Sequence, residues 1–410
     1  MPRVLLLLPT TTYRAPDFLE AAARLGVSVT VASERPNALE GANPEGLWTL
    51  DFADPDACAR QVAKKARATP LEAVLGVDED TAVAAAAVAR ALGLPHNPVS
   101  AAAAARDKGR MRRILGKAGV PSPRCQVFQI ASDPQRLAAE IRYPCVLKPT
   151  FLSGSRGVIR ADDPDSFVSA WRRIGRILDE PESRARGGDL AREILVEDFV
   201  PGEEVALEGL LQDGELRVLA LFDKPDPLEG PFFEETIYVT PSRLPEETQR
   251  RITEVAGQAA RALGLRDGPV HAELRVNACR PWLIEMAARS IGGLCSRTLR
   301  FAMGMSLEEL ILRHALGMEM PEPLRHGGAA GVLMIPIPRA GILQSVSGLA
   351  EARDVPDIED VVISAHLGQT LVPLPEGSRY LGFVFSRAST PEKAEAALRR
   401  AHGKLEFRIG

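Results

Sequence analysis

The stretch that decides the fold reads His271-Ala272-Glu273-Leu274-Arg275-Val276 and, after a polar turn at 277–280, Leu283-Ile284-Glu285-Met286-Ala287-Ala288-Arg289. Both runs are typical of β-strands, in which alternate side chains share a face. Pairing about the turn predicts that Glu273 and Glu285 lie side by side. Neighbouring carboxylates repel unless a cation lies between them, and Mg²⁺ takes such ligands together with substrate phosphates. Arg289 would be within reach of a transferring phosphate. The alternative is a surface hairpin with two solvated glutamates.

The bulk composition indicates a multidomain globular protein. At 410 residues the chain exceeds the size at which one hydrophobic core stops growing. The formal net charge is -4, without an acidic or basic block, which argues against nucleic acid or anionic membranes as partners. The apolar run 4–8 ends at Pro9 and is too short for a membrane span. Five cysteines without C-x-x-C spacing predict reduced thiols and a cytoplasmic location.

The order of the predicted elements divides the chain into four parts. Residues 1–100 alternate strands and helices, which predicts a doubly wound, Rossmann-like α/β unit. Residues 101–195 and 196–330 mix short strands, turns and helices, and residues 331–410 read as a small α+β tail. The fold class is therefore a multidomain combination of α/β and α+β units. Within the second part, residues 181–189 lack an apolar period, which predicts a mobile loop.

A loop rich in glycine and serine follows a buried strand that carries a lysine. Lys148 lies near the end of the strand, and the loop Ser153-Gly154-Ser155-Arg156-Gly157-Val158 precedes a second strand. Small residues let backbone N–H groups approach an anion, and the lysine supplies a positive charge. The loop matches neither a Walker A motif nor a dinucleotide fingerprint. It predicts a hairpin flap over phosphates, with an ordinary hairpin turn as the alternative.

An acidic segment at 194–204 is the third candidate piece of a nucleotide site. Glu197 ends an apolar run, Phe199 and Val200 follow it, and Glu204 comes after a Pro-Gly turn. Such an extended segment could offer backbone groups to an adenine edge while Glu204 meets ribose hydroxyls. The alternative is an exposed acidic turn between two strands.

Taken in order, these segments resemble the ATP-grasp superfamily. The order is Asp107-Lys108, Leu147-Lys148-Pro149, the loop Ser153–Val158, the segment Glu197–Glu204, and the set Glu273, Glu285 and Arg289. The resemblance covers about residues 1–330, and the tail is similar to the small C-terminal domain of the biotin-carboxylase-like branch. Within the superfamily the chain looks most like the L-amino-acid ligases that form dipeptides, with the carnosine-synthase type nearby. It implies an ATP-grasp fold with a Rossmann-like pre-ATP-grasp domain and a small C-terminal α+β domain.

The resemblance also implies roles for individual residues. The implied ATP-binding residues are Lys108, Lys148, Ser153, Gly154, Ser155, Gly157, Val158, Glu197, Phe199, Val200 and Glu204. Glu273 and Glu285 would hold Mg²⁺, for which Mn²⁺ is an alternative, and Arg289 would stabilise the phosphate during transfer. These three residues and Lys148 form the implied catalytic set. The second metal strand of the family usually reads E-x-N-x-R, but Ala287 stands at the Asn position, so one metal ion is predicted and a second is left open.

The implied reaction is ATP-dependent amide formation through an acyl phosphate, with ADP and phosphate as products. The expected partners are a carboxylate and an amine, both amino-acid-like, and a homodimer is left open. The candidate substrate residues are Glu234, Glu235, His271, Arg289, Gly292 and Gly293, for which packing or surface roles are alternatives. No residue is a clear general base for the amine. A biotin-carboxylase-like or purine-biosynthetic enzyme and a non-catalytic nucleotide-binding protein are the competing interpretations.

Overall fold

The computed structural model describes residues 1–278, 280–300, 304–322 and 327–410. Cys279 of the predicted thiol set lies outside the described residues. The other four cysteines, at positions 58, 125, 145 and 295, are free thiols, as predicted. In the described part of the chain, no helix combines the length and the apolar character needed to cross a membrane.

The N-terminal part is a parallel sheet with helices. Its strand order is β3-β2-β1-β4, and every pairing in it is parallel. The strands are β1 (Arg3–Leu7), β2 (Ser28–Ser33), β3 (Leu47–Thr49) and β4 (Ala73–Gly76), and the helices are α1 (Ala15–Leu25), α2 (Pro55–Lys65) and α3 (Ala82–Leu92). The apolar run of β1 is buried, as expected for a strand covered on both faces. The prediction of a doubly wound α/β unit is therefore confirmed.

A small antiparallel sheet carries the glycine-rich loop. Its order is β5-β8-β6-β7, and the loop at 150–158 joins the paired strands β6 and β7. The elements of this part are α4 (Val99–Arg106), α5 (Lys108–Lys117), β5 (Cys125–Gln129), α6 (Pro134–Ala138), β6 (Cys145–Pro149), β7 (Ile159–Ala161), α7 (Pro164–Asp179), α8 (Pro181–Gly187) and β8 (Glu193–Asp198). The hairpin predicted around this loop is confirmed.

The prediction of a loop at 181–189 is wrong, because residues Pro181–Gly187 form helix α8. Proline is well suited to the first helical position. The helix is held by polar contacts rather than by an apolar face. Arg186 pairs with Asp80 of the N-terminal part at 2.7 Å, and its carbonyl oxygen accepts a hydrogen bond from Arg106 at 2.9 Å. An apolar period is therefore absent although the helix is present.

The central feature is an antiparallel sheet of order β13-β12-β9-β10-β11-β14-β18-β16. Its strands are β9 (Glu203–Gln212), β10 (Glu215–Asp223), β11 (Ile237–Thr240), β12 (Gly268–Val276), β13 (Pro281–Ala287), β14 (Ala329–Ile335), β16 (Ile358–Ile363) and β18 (Gly382–Ala388). A smaller sheet has β15 (Gly341–Ser347), β17 (Thr370–Leu371) and β19 (Glu406–Ile409). The remaining helices are α9 (Glu246–Leu263), α10 (Leu307–Ala315), α11 (Leu349–Arg353) and α12 (Pro391–His402).

The C-terminal segment continues this central sheet. Strand β14 pairs with β11, and the predicted boundary between residues 330 and 331 falls within β14. One buried apolar cluster contains Val4 of β1, Phe222 of β10 and Val332 of β14. The N-terminal unit, the central sheet and the C-terminal segment thus pack on a shared core. This core fixes the relative positions of the side chains where the three parts meet.

Candidate active site

The two acidic strands pair as the sequence predicts. In the β12–β13 hairpin, Glu273 lies directly opposite Glu285, with a bulge immediately after Glu273. Both residues are about one-fifth exposed, at 22% and 23% of the side chain. A bulge redirects the side chains beside it and is common next to functional sites. The two carboxylates therefore open into the interior of the molecule rather than onto a free surface.

Two hollows share lining residues at this hairpin. The first, here called the cleft, contains most of the predicted ATP-binding residues: Lys108, Lys148, Ser153, Gly154, Ser155, Val158, Glu197, Phe199, Val200 and Glu204. The second, here called the wide cavity, has a volume of about 790 Å³. The residues that line both hollows are Ser153, Gly154, Glu235, Glu273 and Arg289. The junction therefore combines carboxylates, a guanidinium group and the glycine-rich loop.

The other candidate substrate residues divide between the hollows and the surrounding packing. His271, Gly292 and Gly293 line the wide cavity. Glu234 lies outside the lining of both hollows, and burial raises the pKa of its half-buried carboxyl group. Among the predicted ATP-binding residues, Gly157 is outside the cleft lining and holds a positive φ of 73° in the loop. Its part is conformational, because glycine adopts that backbone geometry without strain.

Lysine and arginine side chains neutralise the carboxylates at the junction. Lys108 contacts Glu285 at 3.1 Å, and it also donates to the carbonyl oxygen of Leu152 at 2.7 Å. Arg289 contacts Glu79, which comes from the N-terminal part, at 3.0 Å. Burial lowers the pKa of Arg289, but Glu79 and Glu285 raise it by more. Arg289 is therefore a permanent cation at the meeting point of the hollows.

Glu197 is bound by two cations. Its carboxylate contacts Lys148 at 2.7 Å and Arg112 at 3.0 Å, and all three side chains are almost fully buried. Burial raises the pKa of Glu197, but Arg112 and Lys148 lower it by more. Burial also lowers the pKa of Lys148, against the opposing effect of Glu197. In this arrangement both Glu197 oxygens already have partners, so its contact with an adenine amino group stays a prediction.

The backbone next to Glu197 is also engaged. The N–H group of Phe199 donates to the carbonyl oxygen of Pro144 at 3.1 Å, and the carbonyl oxygen of Val200 accepts from Arg275 at 2.9 Å. The guanidinium carbons of Arg160 and Arg275 lie 4.2 and 5.0 Å from the centroid of the Phe199 ring. These contacts hold the strand end in one position beside the cleft.

A buried ammonium group organises three further carboxylates. Lys224 contacts Glu204 at 2.8 Å and Glu273 at 3.8 Å, and it also donates to Glu235. Oxygen atoms of these three glutamates lie within 4.8 Å of one another, a spacing that could also hold a metal ion. Burial lowers the pKa of Lys224, but Glu204, Glu235 and Glu273 together raise it well above its usual value. Lys224 therefore stays charged and stabilises the cluster.

His271 links the metal-candidate strand to the loop after it. Its Nδ1 atom lies 3.1 Å from buried Glu208, and its Nε2 atom lies 3.5 Å from Glu273. Burial lowers the pKa of His271, but the hydrogen bonds to Glu208 and Glu273 raise it to about 9. His271 is thus protonated at neutral pH. A role of His271 toward the substrate amine, as a base or as a hydrogen-bond donor, stays a prediction.

The glycine-rich loop is attached to the C-terminal segment. The N–H group of Gly157 donates to the carbonyl oxygen of Pro375 at 2.9 Å, and Arg156 donates to that of Glu376 at 2.7 Å. The carboxylate of Glu376 receives two hydrogen bonds from Arg173, at 2.5 and 2.8 Å. We call residues 372–380 the C-terminal loop. Because this loop also lines the wide cavity, it connects that cavity to the flap.

Comparisons with known families agree with this architecture. The ATP-grasp domain family matches residues 141–298, and the ATP-grasp N-terminal domain family matches residues 19–96. The family named L-amino acid ligase C-terminal domain 2 matches residues 333–410. The crystal structure of the L-amino acid ligase from Bacillus licheniformis superposes with a TM-score of 0.84 at 27% identity, over 100% of this chain and 99% of that one. The chain is an ATP-grasp protein.

Curated relatives include a ligase and a synthase by name. Alanine–anticapsin ligase of Bacillus subtilis (strain 168) is 31% identical over 265 residues, which is 62% of this chain and 55% of that protein. Carnosine synthase 1 of Mus musculus is 28% identical over 243 residues, which is 57% of this chain and 29% of that protein. The chain spans about half the length of the alanine–anticapsin ligase that it matches. The predicted ATP-grasp fold and the resemblance to L-amino acid ligases are confirmed.

ATP-grasp proteins bind ATP and Mg²⁺, and the donor set fits both ligands. The paired carboxylates of Glu273 and Glu285 are hard oxygen donors of the type that Mg²⁺ prefers. Lys108 and Lys148 line the same cleft and supply positive charge for phosphates. The cleft therefore carries complementary groups for the two halves of a metal–nucleotide complex.

Several residues of the site have no clear signal in the sequence. They are Glu79, Arg112, Glu208, Lys224 and Arg275, each of which contacts a predicted site residue. Lys224 had one available signal, because the sequence contains only eight lysines and this one follows a strand between two acidic segments. Glu79 and Arg112 had none, because their partners lie 210 and 85 residues away along the chain.

Proposed function

We propose that this ATP-grasp protein is an ADP-forming carboxylate–amine ligase that joins two amino-acid-like substrates. The observation that carries the proposal is the junction, where Arg289 and the Glu273 carboxylate line both the cleft and the wide cavity. A group at such a junction can contact a phosphoryl group and a second substrate at the same time. The cleft would hold ATP, and the wide cavity would hold the two substrates.

Residues of the cleft divide the work of binding the nucleotide. Lys108 and Lys148 would contact phosphate oxygens, and the loop at 153–158 would cover them. Glu273 and Glu285 would hold Mg²⁺, which neutralises charge on the transferring phosphoryl group when it is bound. Ala287 has no side-chain ligand to offer, so we propose one tightly held metal ion, with any second ion depending on phosphate and water.

The proposed chemistry proceeds in two steps. A carboxylate oxygen of the first substrate attacks the γ-phosphorus of ATP, the bond to the β-phosphate oxygen breaks, and ADP leaves. The amine of the second substrate then attacks the acyl carbon, and phosphate leaves with the former carboxylate oxygen. Starting from an ammonium group, the nitrogen releases two protons to solvent and keeps the third as the N–H of the amide. The chain supplies position and charge neutralisation rather than a covalent nucleophile.

Arg289 and His271 are the side chains best placed to act on the reacting carboxyl group. Arg289 would bind the phosphate as it is transferred and as it leaves. His271, protonated through its hydrogen bonds to Glu208 and Glu273, would donate to a developing negative oxygen. The C-terminal loop and the glycine-rich loop together would exclude water, which otherwise hydrolyses an acyl phosphate.

The relatives support this choice among ATP-grasp activities. The relatives are named alanine–anticapsin ligase, carnosine synthase and L-amino acid ligase, and two of these names denote ligases of amino acids. Structures of biotin carboxylase and of purine-biosynthetic enzymes share the fold at 15–19% identity, which supports the fold alone. A purely nucleotide-binding role is disfavoured because Lys148, Glu273, Glu285 and Arg289 are gathered in one cleft.

A phosphate-release screen tests the proposal. Purified protein with ATP and Mg²⁺ is offered amino acids singly and in pairs, and products are identified by mass spectrometry. We expect release that requires two amino acids and yields ADP and a product lighter than the sum by one water. Release with bicarbonate or with a single non-amino-acid carboxylate would contradict the ligase assignment.

A further inference from the structure

One wall of the wide cavity comes from the N-terminal unit. The loop after β1 contributes residues 9 and 11–13 to the cavity lining, and the loop after β4 contributes residues 78–80. Both loops follow the carboxyl ends of parallel strands, where open α/β sheets bind ligands. Arg14 ends the first loop, directly before α1, and it is only 1% exposed. A buried cation therefore follows the cavity-lining residues in the chain.

Both terminal nitrogens of Arg14 have partners in other parts of the protein. The Nη1 atom donates to the hydroxyl oxygen of Ser290 at 2.7 Å, and the Nη2 atom contacts Glu308 at 2.9 Å. Glu308 lies on the first turn of α10, and it and Ser290 are each 2% exposed. Burial raises the pKa of Glu308, but the charge of Arg14 and hydrogen bonds lower it by more. The Arg14–Glu308 pair is therefore ionised inside the protein.

This buried ion pair does more than hold two elements together. Both charges lose their hydration, and an apolar pair of similar volume often stabilises a fold equally well or better. An apolar side chain at position 14 could not, however, donate a directed hydrogen bond to the Ser290 hydroxyl. The specific contribution of Arg14 is thus a fixed position for Ser290.

Ser290 connects Arg14 to Arg289. Its hydroxyl oxygen binds Arg14, and its carbonyl oxygen accepts a hydrogen bond from Nη1 of Arg289 at 2.9 Å. The Nε atom of Arg289 donates to Glu79 at 3.0 Å. Two of the three guanidinium nitrogens are thereby bound to protein acceptors, and Nη2 is the remaining donor. The direction of Nη2 therefore depends on the positions of Ser290 and Glu79.

The next residue along the chain is held by the central sheet. The N–H group of Ile291 donates to Glu208 at 3.0 Å, and Glu208 is fully buried on β9. Three successive residues, 289 to 291, thus each have an anchor of their own. Because Ile291 stays fixed, a movement of Ser290 after loss of Arg14 would be taken up at Ser290 and Arg289.

Resting on the proposed ligase function, we infer that Arg14 is a positioning residue for phosphoryl transfer, which orients the guanidinium group of Arg289 through Ser290. Arg14 does not contact the substrate in this account. Misplacement of a reacting group by about 1 Å can lower a rate about a hundredfold. Arg289 would act on the phosphate during transfer rather than on bound ATP. Loss of Arg14 should therefore lower kcat and leave the KM for ATP nearly unchanged.

The first experiment separates positioning from stability. The double variant Arg14→Met with Glu308→Leu removes both charges of the buried pair, so no unpaired charge remains in the core. Its urea midpoint should stay within about 0.5 M of the wild-type value. With ATP, Mg²⁺ and an active pair of amino acids, kcat should fall about tenfold or more, while the KM for ATP changes less than about threefold.

Two further variants make this comparison specific. Ser290→Ala keeps the ion pair and removes only the hydroxyl group, so we expect kcat to fall by about threefold or more at an unchanged urea midpoint. Asp17→Leu with Arg297→Met is the matched control. It removes another ion pair, of 3.0 Å, between α1 and residues 295–298, without a contact to the anchored segment. Its kcat should stay within about twofold of wild type.

The Arg289→Lys background tests whether Arg14 acts through Arg289. In this background, replacing the Arg14–Glu308 pair should lower kcat by less than about a further twofold, because two changes in one chain of contacts are not additive. A full additive loss would overturn the inference. A kcat within twofold of wild type in both the double variant and Ser290→Ala would also overturn it and leave the ligase assignment standing. A wild-type protein that condenses no pair of amino acids would overturn the ligase assignment and the inference with it.

Discussion

Replacement of Lys224 by methionine removes the ammonium group that lies among Glu204, Glu235 and Glu273. The change keeps most of the apolar stem but leaves three carboxylates whose oxygens lie within 4.8 Å of one another. Removing one partner of a buried ion pair typically lowers the free energy of unfolding by about 3–5 kcal/mol, because the remaining charge stays buried without a partner. Arg275 still contacts Glu204 at 2.9 Å, so we expect a loss of about 3 kcal/mol in the free energy of unfolding at pH 8.

The pH dependence of that loss follows from the carboxylates. In the wild-type protein Lys224 lowers the pKa values of Glu235 and Glu273 against the effect of burial. Without it both pKa values rise, so the folded variant binds protons more tightly than the folded wild-type protein does. A carboxyl group of this kind destabilises the fold at high pH, and the penalty shrinks as pH falls. The difference between variant and wild type should therefore decrease from pH 8 to pH 5.

Urea denaturation followed by fluorescence measures this difference at several pH values. Mg²⁺ at millimolar concentration should raise the midpoint of the variant more than that of the wild type, since it can replace the missing cation. Lys117→Met, at an exposed position on α5, is the control and should change stability by less than about 0.5 kcal/mol. A Lys224→Met protein within 1 kcal/mol of wild type at pH 8, or a deficit that does not vary with pH, would refute the reasoning.

Three further predictions concern other parts of the site. Glu285→Gln should lower kcat at least a hundredfold and raise the Mg²⁺ concentration needed for phosphate release, because one of two paired carboxylates is lost. The control Glu359→Gln, on strand β16, should leave both values unchanged. Full activity of Glu285→Gln would eliminate the metal assignment. The pKa of His271, raised to about 9 from an ordinary value near 6.5, should contribute about 3 kcal/mol of stability. That contribution is complete below about pH 6.5 and is lost as pH rises to about 9. The urea midpoint should therefore fall less between these pH values in His271→Gln than in the wild-type protein. An identical fall in both proteins would exclude the ion-pair role. Glu376→Gln should weaken the contact with Arg173. It should raise the KM for ATP about threefold to tenfold and speed proteolysis within residues 150–158. Unchanged proteolysis would show that the C-terminal loop does not hold the flap.

The parts of the site that could be predicted from sequence depend on local geometry. The register of Glu273 and Glu285 follows from strand alternation and from the position of one turn, and the flap follows from a strand, a lysine and a run of small residues. Both depend on residues close together along the chain. A single hairpin was therefore enough to place the carboxylate pair, whose direct pairing is now observed.

The parts that were missed depend on tertiary contacts. Glu79 reaches Arg289 from the N-terminal unit, and Lys224 gains its role because strands from three segments bring carboxylates around it. No local pattern reports such distances. Helix α8 was missed for a related reason, because its stability comes from Arg186 and other polar contacts with distant elements rather than from an apolar face. Sequence periodicity detects helices that bury an apolar stripe.

Transfer of oxygen from substrate to phosphate tests the central claim most directly. The donor amino acid is labelled with ¹⁸O in both carboxylate oxygens, and the phosphate and the amide product are analysed by mass spectrometry after one round of ligation. Passage through an acyl phosphate predicts one ¹⁸O atom in each released phosphate and one retained in the amide. Unlabelled phosphate, or release of AMP and pyrophosphate in place of ADP, would contradict the account.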